Sequence, residues 1–208
     1  MSANSRFRQL PYAHLNLRHN PFGELSREEL ATLAEVDVEA VVAELEDDRF
    51  VVQFVGEKGY GKTTHLLAIR ARFPEAGYVH IAEGQKASLP GGRPTMIDEA
   101  QRLTLWQRFR LFRSAVPMVL GTHRDFSGEL RRAGRRLQTI EVGHGTDSLR
   151  LCRILNARIE HVRRDVGDVP RVSMKTADRL RREFGANIRG MLHQMYGAFQ
   201  DLSEIRDI

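Results

Sequence analysis

One stretch constrains this chain more than any other: Gly56-Glu57-Lys58-Gly59-Tyr60-Gly61-Lys62-Thr63, which follows the apolar run Phe50 to Val55 and opens the helical pattern Lys62 to Arg72. A strand, a glycine-rich turn and a helix in that order make a phosphate-binding loop. Glycines at 56, 59 and 61 open backbone conformations closed to residues with a Cβ, so successive N–H groups can converge on one anion. The helix start adds a partial positive charge. In such a loop Lys62 reaches the β/γ-phosphates of a nucleotide, the Thr63 hydroxyl ligates Mg²⁺ and Thr64 extends the helix start, while Glu57, Lys58 and Tyr60 complete the cradle.

Further strands are expected at Tyr78 to Ala82, Pro94 to Ile97, Pro117 to Gly121 and Leu137 to Val142, with helices between most of them. Gly84 to Gly92 reads as a loop, because glycine and proline punctuate it too densely for a helix. Before the first strand, Ser26 and Glu29 form a capping box for a helix over Arg27 to Glu35, and Asp37 is placed to cap a second over Val38 to Glu46. From Ala100 to Ala115, Leu103, Trp106, Phe109 and Phe112 keep helical spacing, which predicts one amphipathic helix with Trp106 in the core. Phe126 to Gly134 reads as a short helix. After Gly143-His144-Gly145, a hinge-like link, only helices recur: Asp147 to Asp165, Ser173 to Phe184 and Asn187 to about Ile205. The expected fold is α/β, a five-stranded, mostly parallel sheet of the P-loop NTPase kind flanked by helices, with a small C-terminal all-α lid. Residues 1–49 form an arm and helices packing on the core, residues 50–145 the core and residues 146–208 the lid.

A second chemical element follows the third strand. Asp98 and Glu99 stand where that strand ends, the edge of a parallel sheet at which ligands sit. Asp98 can hold Mg²⁺ through water, and Glu99 can orient and polarise an attacking water. The alternative for Glu99 is a carboxylate that merely favours a helix start. Thr122 and His123 end the fourth strand, as contacts for a γ-phosphate or as a plain turn. The histidines show no metal-ligand spacing, so Mg²⁺ is the one metal expected.

Composition narrows the partners. Residues 23–48 carry ten acidic side chains and one arginine, whereas Arg102 to Arg189 is rich in arginine, and the chain has only four lysines. An acidic front and a basic back fit self-association, contact with nucleic acid, or solvated helix faces. No apolar run approaches the ~18 residues of a membrane span, so neither membrane insertion nor export is expected and the expected location is cytoplasmic. The single cysteine, Cys152, excludes an internal disulfide and reads as a small core residue.

Together these residues resemble the AAA+ ATPases, over roughly Asn20 to Leu202. The resemblance rests on Gly56 to Thr64, on Met96-Ile97-Asp98-Glu99-Ala100-Gln101, on a polar residue after the next strand and on helices after the last one. It is closest in flavour to bacterial members whose acidic motif reads Asp-Glu-Ala-Gln or Asp-Glu-Ala-His: transposition regulators, secretion-associated ATPases and initiator-like ATPases. It implies ATP and Mg²⁺ as cofactors, Thr122 as the sensor-1 residue, Arg189 as a sensor-2 arginine and the Asn20-Pro21-Phe22 segment near adenine. It also implies a homo-oligomer in which Arg131, Arg132, Arg135 or Arg136 serves a neighbour's site, the first two being favoured. A protein partner is expected, and DNA is open as a second. The link between the second and third strands departs from the family, being too short for its usual helix. Two other readings compete: a nucleotide-gated binding module with little or no hydrolysis, and a GTPase, which His123 in place of lysine and the lack of a glycine after Asp98 disfavour.

Overall fold

The computed structural model describes residues 11–143 and 147–208 and divides them into two compact units. The first ten residues of the expected arm, and His144 and Gly145 of the expected hinge, lie outside the described residues. The sheet unit comprises residues 25–143 with 186–188, and the helical unit residues 11–24, 147–185 and 189–208. The expected segment 1–49 is therefore shared, its described part up to Glu24 grouping with the C-terminal helices.

In the sheet unit, β1 (Phe50–Val55) lies between β4 (Met118–Thr122) and β5 (Arg136–Glu141), while β3 (Thr95–Asp98) pairs with β4 and β2 (Gly77–His80) forms the far edge. Every pair is parallel. Strand side chains alternate between faces, and the core follows that alternation. Phe50, Val52, Phe54, Met96 and Val119 pack with Leu66 and Ile69 of α3 (Lys62–Arg70) and with Val38, Val41 and Leu45 around α2 (Glu39–Glu44). Val51, Ile97, Met118 and Leu120 meet Leu111 and Phe112 of α4 (Leu105–Phe112) and Phe126 and Leu130 around α5 (Ser127–Arg132) on the opposite face. Val51, Val52 and Phe54 are 0 to 1% exposed, and each such side chain contributes roughly 1.5–3 kcal/mol by leaving water.

Local chemistry sets the element ends. α1 (Arg27–Thr32) begins at the Ser26–Glu29 capping box. Asp37 accepts from the Glu39 N–H at 3.2 Å ahead of α2. The β2–β3 connection contains no helix; Ala87 and Leu89 from it pack onto the α4–α5 side of the core.

The expected helix over residues 100–115 is corrected. Glu99 takes a left-handed conformation, residues 100–102 form a 3₁₀ turn, and α4 starts afresh at Leu105 under a Thr104–Gln107 capping box. That restart rotates the apolar series. Leu103, Leu111 and Phe112 are buried, but Trp106 is 66% and Phe109 59% exposed, so Trp106 is not a core residue. Arg108 takes an inward position instead, its guanidinium 5.2 Å from the Phe126 ring centroid and 3.6 Å from Glu129.

The helical unit is built from α6 (Ser148–His161), α7 (Met174–Phe184) and α8 (Ile188–Gln200), the last shorter than its apolar pattern predicted. Leu151, Leu155, Leu180, Met191, Met195 and Phe199 form its core together with Leu15, Leu17 and Phe22. Cys152 is half-buried against this core, its thiol donating to Val172 O at 3.2 Å. Among the described residues, no helix is long and apolar enough to cross a membrane.

Candidate active site

The loop between β1 and α3 has the backbone its glycines allow: Gly59 and Gly61 have φ of 90° and 98°, left-handed values that a Cβ makes costly. Lys62, at the start of α3, is 4% exposed. Its ammonium donates to Gly56 O at 2.7 Å and Glu57 O at 3.0 Å, and stands 3.3 Å from His123 Nε2. Thr64 follows in the first turn of α3, half-buried.

Alternation puts Asp98 on the α3 side of the sheet, where the Thr63 hydroxyl donates to Asp98 Oδ2 at 2.8 Å. Two residues that the sequence did not single out join it. Tyr78 OH donates to the same oxygen at 3.3 Å, and His80 Nδ1 lies 3.1 Å from it. His80 is the cross-strand partner of Asp98, and Tyr78 lies two residues earlier on the same face. Knowing the β2–β3 register would have found both. Burial, and then the Asp98 carboxylate, push the Tyr78 phenol well above its usual range. Room for Asp98 comes from β4: a Cβ at Gly121 would lie 2.8 Å from Asp98 Oδ1.

Glu99 sits beside this pair with φ of 65°, a conformation few residues with a Cβ adopt and one that recurs at functional sites. Gln101 donates to its Oε2 at 2.7 Å, with Arg102 at 3.4 Å, and its Oε1 is 3.5 Å from His123 Nε2. Burial pushes the Glu99 carboxyl up. The Gln101 hydrogen bond and the charges of His123, Arg102 and Lys62 outweigh it and hold the group below its ordinary value. Gln101 also accepts from the His123 N–H at 3.2 Å, which fixes one residue against the other.

Thr122 and His123 part company at the end of β4. Thr122 is fully buried, and its hydroxyl closes a local turn, accepting from Arg124 N at 3.0 Å and donating to Arg124 O at 2.9 Å. His123 is the group that faces Lys62, Glu99 and, at 3.7 Å, Glu57. Asp125, the next carboxylate, accepts from Ser127 N at 2.7 Å and from Gln53 Nε2 at 2.6 Å.

The remaining candidates are distributed. Arg131 and Arg132 are exposed in the last turn of α5, and neither forms an ion pair among the described residues. Arg135 is buried and donates to Ser114 O and Val116 O, so it is committed to the fold; burial first, and Arg49 second, lower its guanidinium to about 10. Arg136 pairs with Glu44 and Asp47. In the helical unit Arg189 is exposed at the second position of α8. There too, Asn20 donates to Tyr196 O at 3.0 Å and accepts from Phe22 N at 3.0 Å, while the Phe22 ring meets Phe199 edge-on at 4.9 Å.

With this geometry in view, comparison with solved structures gives a clear likeness. A Thermotoga maritima RuvB structure, titled as a Holliday junction branch migration motor, aligns over 83% of this chain and 60% of its own, with a TM-score of 0.50 and 19% identity. A point mutant of Thermotoga maritima RuvB aligns over 91% of this chain and 69% of its own, with a TM-score of 0.53 and 18% identity. The chain has the RuvB-like AAA+ fold. Its five-stranded, all-parallel sheet flanked by helices and its C-terminal helices are shared with RuvB, and it spans 60% of the length of the first RuvB structure. No family model and no curated protein matches the sequence.

Proposed function

We propose that the chain is an ATP-binding, Mg²⁺-dependent ATPase of the AAA+ type that works as an oligomerising switch or motor for a partner, with DNA among the candidate partners. The observation that carries this reading is the convergence of Lys62, Thr63, Asp98, Glu99 and His123 at the strand ends beside the phosphate-binding loop.

The donor set fits the ligands. Successive loop N–H groups and the start of α3 suit an oligophosphate. Thr63 and Asp98 present hard oxygens, and no cluster of three or more His, Cys, Asp or Glu competes for a metal among the described residues. This suits Mg²⁺, which Thr63 and Asp98 would hold, directly or through water, and which would supply positive charge to offset that of the phosphates. Lys62 would exchange the carbonyls of Gly56 and Glu57 for phosphate oxygens. Glu99, kept ionised by Gln101 and its cationic neighbours, would orient water and accept its proton. His123, rather than the turn-bound Thr122, would report the phosphate state to Glu99, since it touches both Lys62 and Glu99.

Two observations favour ATP hydrolysis over the competing readings. Asp125, where a GTPase would place its guanine-reading carboxylate, is spent on Ser127 and Gln53. Glu99, which a pure binding module does not require, is held in a left-handed backbone with Gln101 and cationic neighbours that lower its carboxyl pKa. The likeness to a branch migration motor supports DNA as a partner by analogy of fold alone.

The test is steady-state phosphate release from ATP and GTP across protein concentration. ATP-selective turnover that rises more than linearly with protein and is lost in Lys62→Ala and Glu99→Gln is expected. Alanine variants of Arg131, Arg132 and Arg189 then show which arginines supply charge to the phosphates. ATP binding without turnover in the wild type establishes the switch alone, and preference for GTP overturns the reading.

A further inference from the structure

α4 is apolar on both sides. Leu111 and Phe112 point into the core, while Leu105, Trp106 and Phe109 are 77, 66 and 59% exposed on the outward side. Large apolar side chains grouped on an exposed face mark a surface that meets a partner. The outward face is also positively charged. The Arg110 guanidinium lies 5.6 Å from the Trp106 ring centroid and the Arg113 guanidinium 3.9 Å from that of Phe109. From Ala100 to Met118 there are four arginines and no carboxylate.

We propose that this outward face of α4 binds single-stranded nucleic acid, with Trp106 and Phe109 stacking on unpaired bases and Arg110 and Arg113 meeting phosphates. Exposed rings interleaved with arginine are the chemistry of single-strand platforms, because every base offers a π-face and every linkage an anion. A guanidinium laid over a ring keeps its N–H edge for an oxyanion. Duplex DNA hides its base faces, so rings that stand out from the surface favour the unpaired form. In a second copy of the chain four carboxylates of the acidic segment are already paired, Glu39 with Arg72, Glu44 and Asp47 with Arg136, and Asp48 with Arg93, so nucleic acid phosphates are the fuller complement to this face. Nucleic acid as the partner extends the function proposed above, but this surface needs neither ATP nor hydrolysis.

Trp106 is the only tryptophan, so its fluorescence reports the event directly. The full chain is titrated without nucleotide against an oligo-dT of about 20 nucleotides, long enough for a single-strand site, and against a duplex of equal length. Expected are quenching by oligo-dT in preference to duplex, an affinity that falls as salt rises, and a loss of about tenfold in Phe109→Ala. Arg110→Glu combined with Arg113→Glu is expected to abolish binding, while Leu149→Ala, another exposed apolar position, and Lys62→Ala leave it unchanged. Absence of quenching, equal response to duplex, or binding that survives Phe109→Ala undiminished overturns the proposal. Emission that shifts with protein concentration alone, and no longer does so in Phe109→Ala, replaces it with self-association. None of these failures touches the ATPase reading, which phosphate release decides separately.

Discussion

The two faces of the sheet use the same alternating strands for different ends. Toward α3, the alternate positions that end β2, β3 and β4 are His80, Asp98 and Gly121, and they converge: one carboxylate, a histidine beside it, and a glycine that makes room. Toward α5 lie Gln53, within β1, and Thr122, at the end of β4, and their polar atoms close inward. Gln53 holds Asp125, Ser127 and Thr139 and accepts from Phe126 N, while Thr122 completes its own turn. A buried polar network with its partners in place fixes geometry. On the function proposed above, the first face would carry the reacting groups and the second would hold the strands that position them.

Substitutions in and beside these residues break or sharpen this contrast. Glu99→Gln is expected to lower ATP turnover by about 10² to 10⁴, the usual worth of a general base, with nucleotide binding kept, as measured by single-turnover hydrolysis and equilibrium binding. Thr122→Val is expected to leave turnover nearly intact and cost about 0.5–1.5 kcal/mol of stability, the net value of an internal hydrogen bond. A collapse of turnover in the Thr122 variant, with stability unchanged, would erase the distinction between the faces. Gly121→Ala forces a methyl to within 2.8 Å of Asp98 Oδ1 and 3.4 Å of Leu66, an overpacking cost of about 1–3 kcal/mol, read by urea denaturation. Its control is Gly197→Ala in α8, where a Cβ meets nothing within 4 Å, and where alanine gains roughly 0.5–1 kcal/mol over glycine in a helix.

What the sequence disclosed and what it withheld divide by the range of the interaction. Phe50 to Val55 is a strand with the predicted bounds, and Ser26 with Glu29 caps a helix, because both are written in consecutive residues. Asp98 lies at the C-terminal edge of the parallel sheet, where the Thr63 hydroxyl donates to it. His80 and Tyr78 were not legible, since their place beside Asp98 depends on strand register between segments 18 and 20 residues apart. Trp106 was misplaced because the left-handed Glu99 and the Thr104 cap reset the helix phase, and no periodicity count sees a reset. Arg135 stood among the arginine candidates, behind Arg131 and Arg132, and nothing in consecutive residues shows that its guanidinium holds the carbonyls of Ser114 and Val116.

The smallest expected effect concerns pH and separates Glu99 from the structural polar groups. Its folded pKa lies below the ordinary 4.5 because the Gln101 hydrogen bond and nearby cations outweigh the opposing effect of burial. A depressed carboxyl binds fewer protons folded than unfolded, so its contribution to stability is complete above pH 4.5 and is lost as pH falls through the lower folded value. The midpoint difference between wild type and Glu99→Gln in thermal melts is therefore expected to hold constant from neutrality to near pH 5 and to move against the wild type below it. Thr122→Val leaves every carboxyl in place, Glu99 included, so its difference from wild type is expected to stay flat over the same range. A Glu99→Gln difference that is equally flat would mean that the neighbouring cations do not favour the ionised form, and the proposed role of Glu99 as base would lose its electrostatic support.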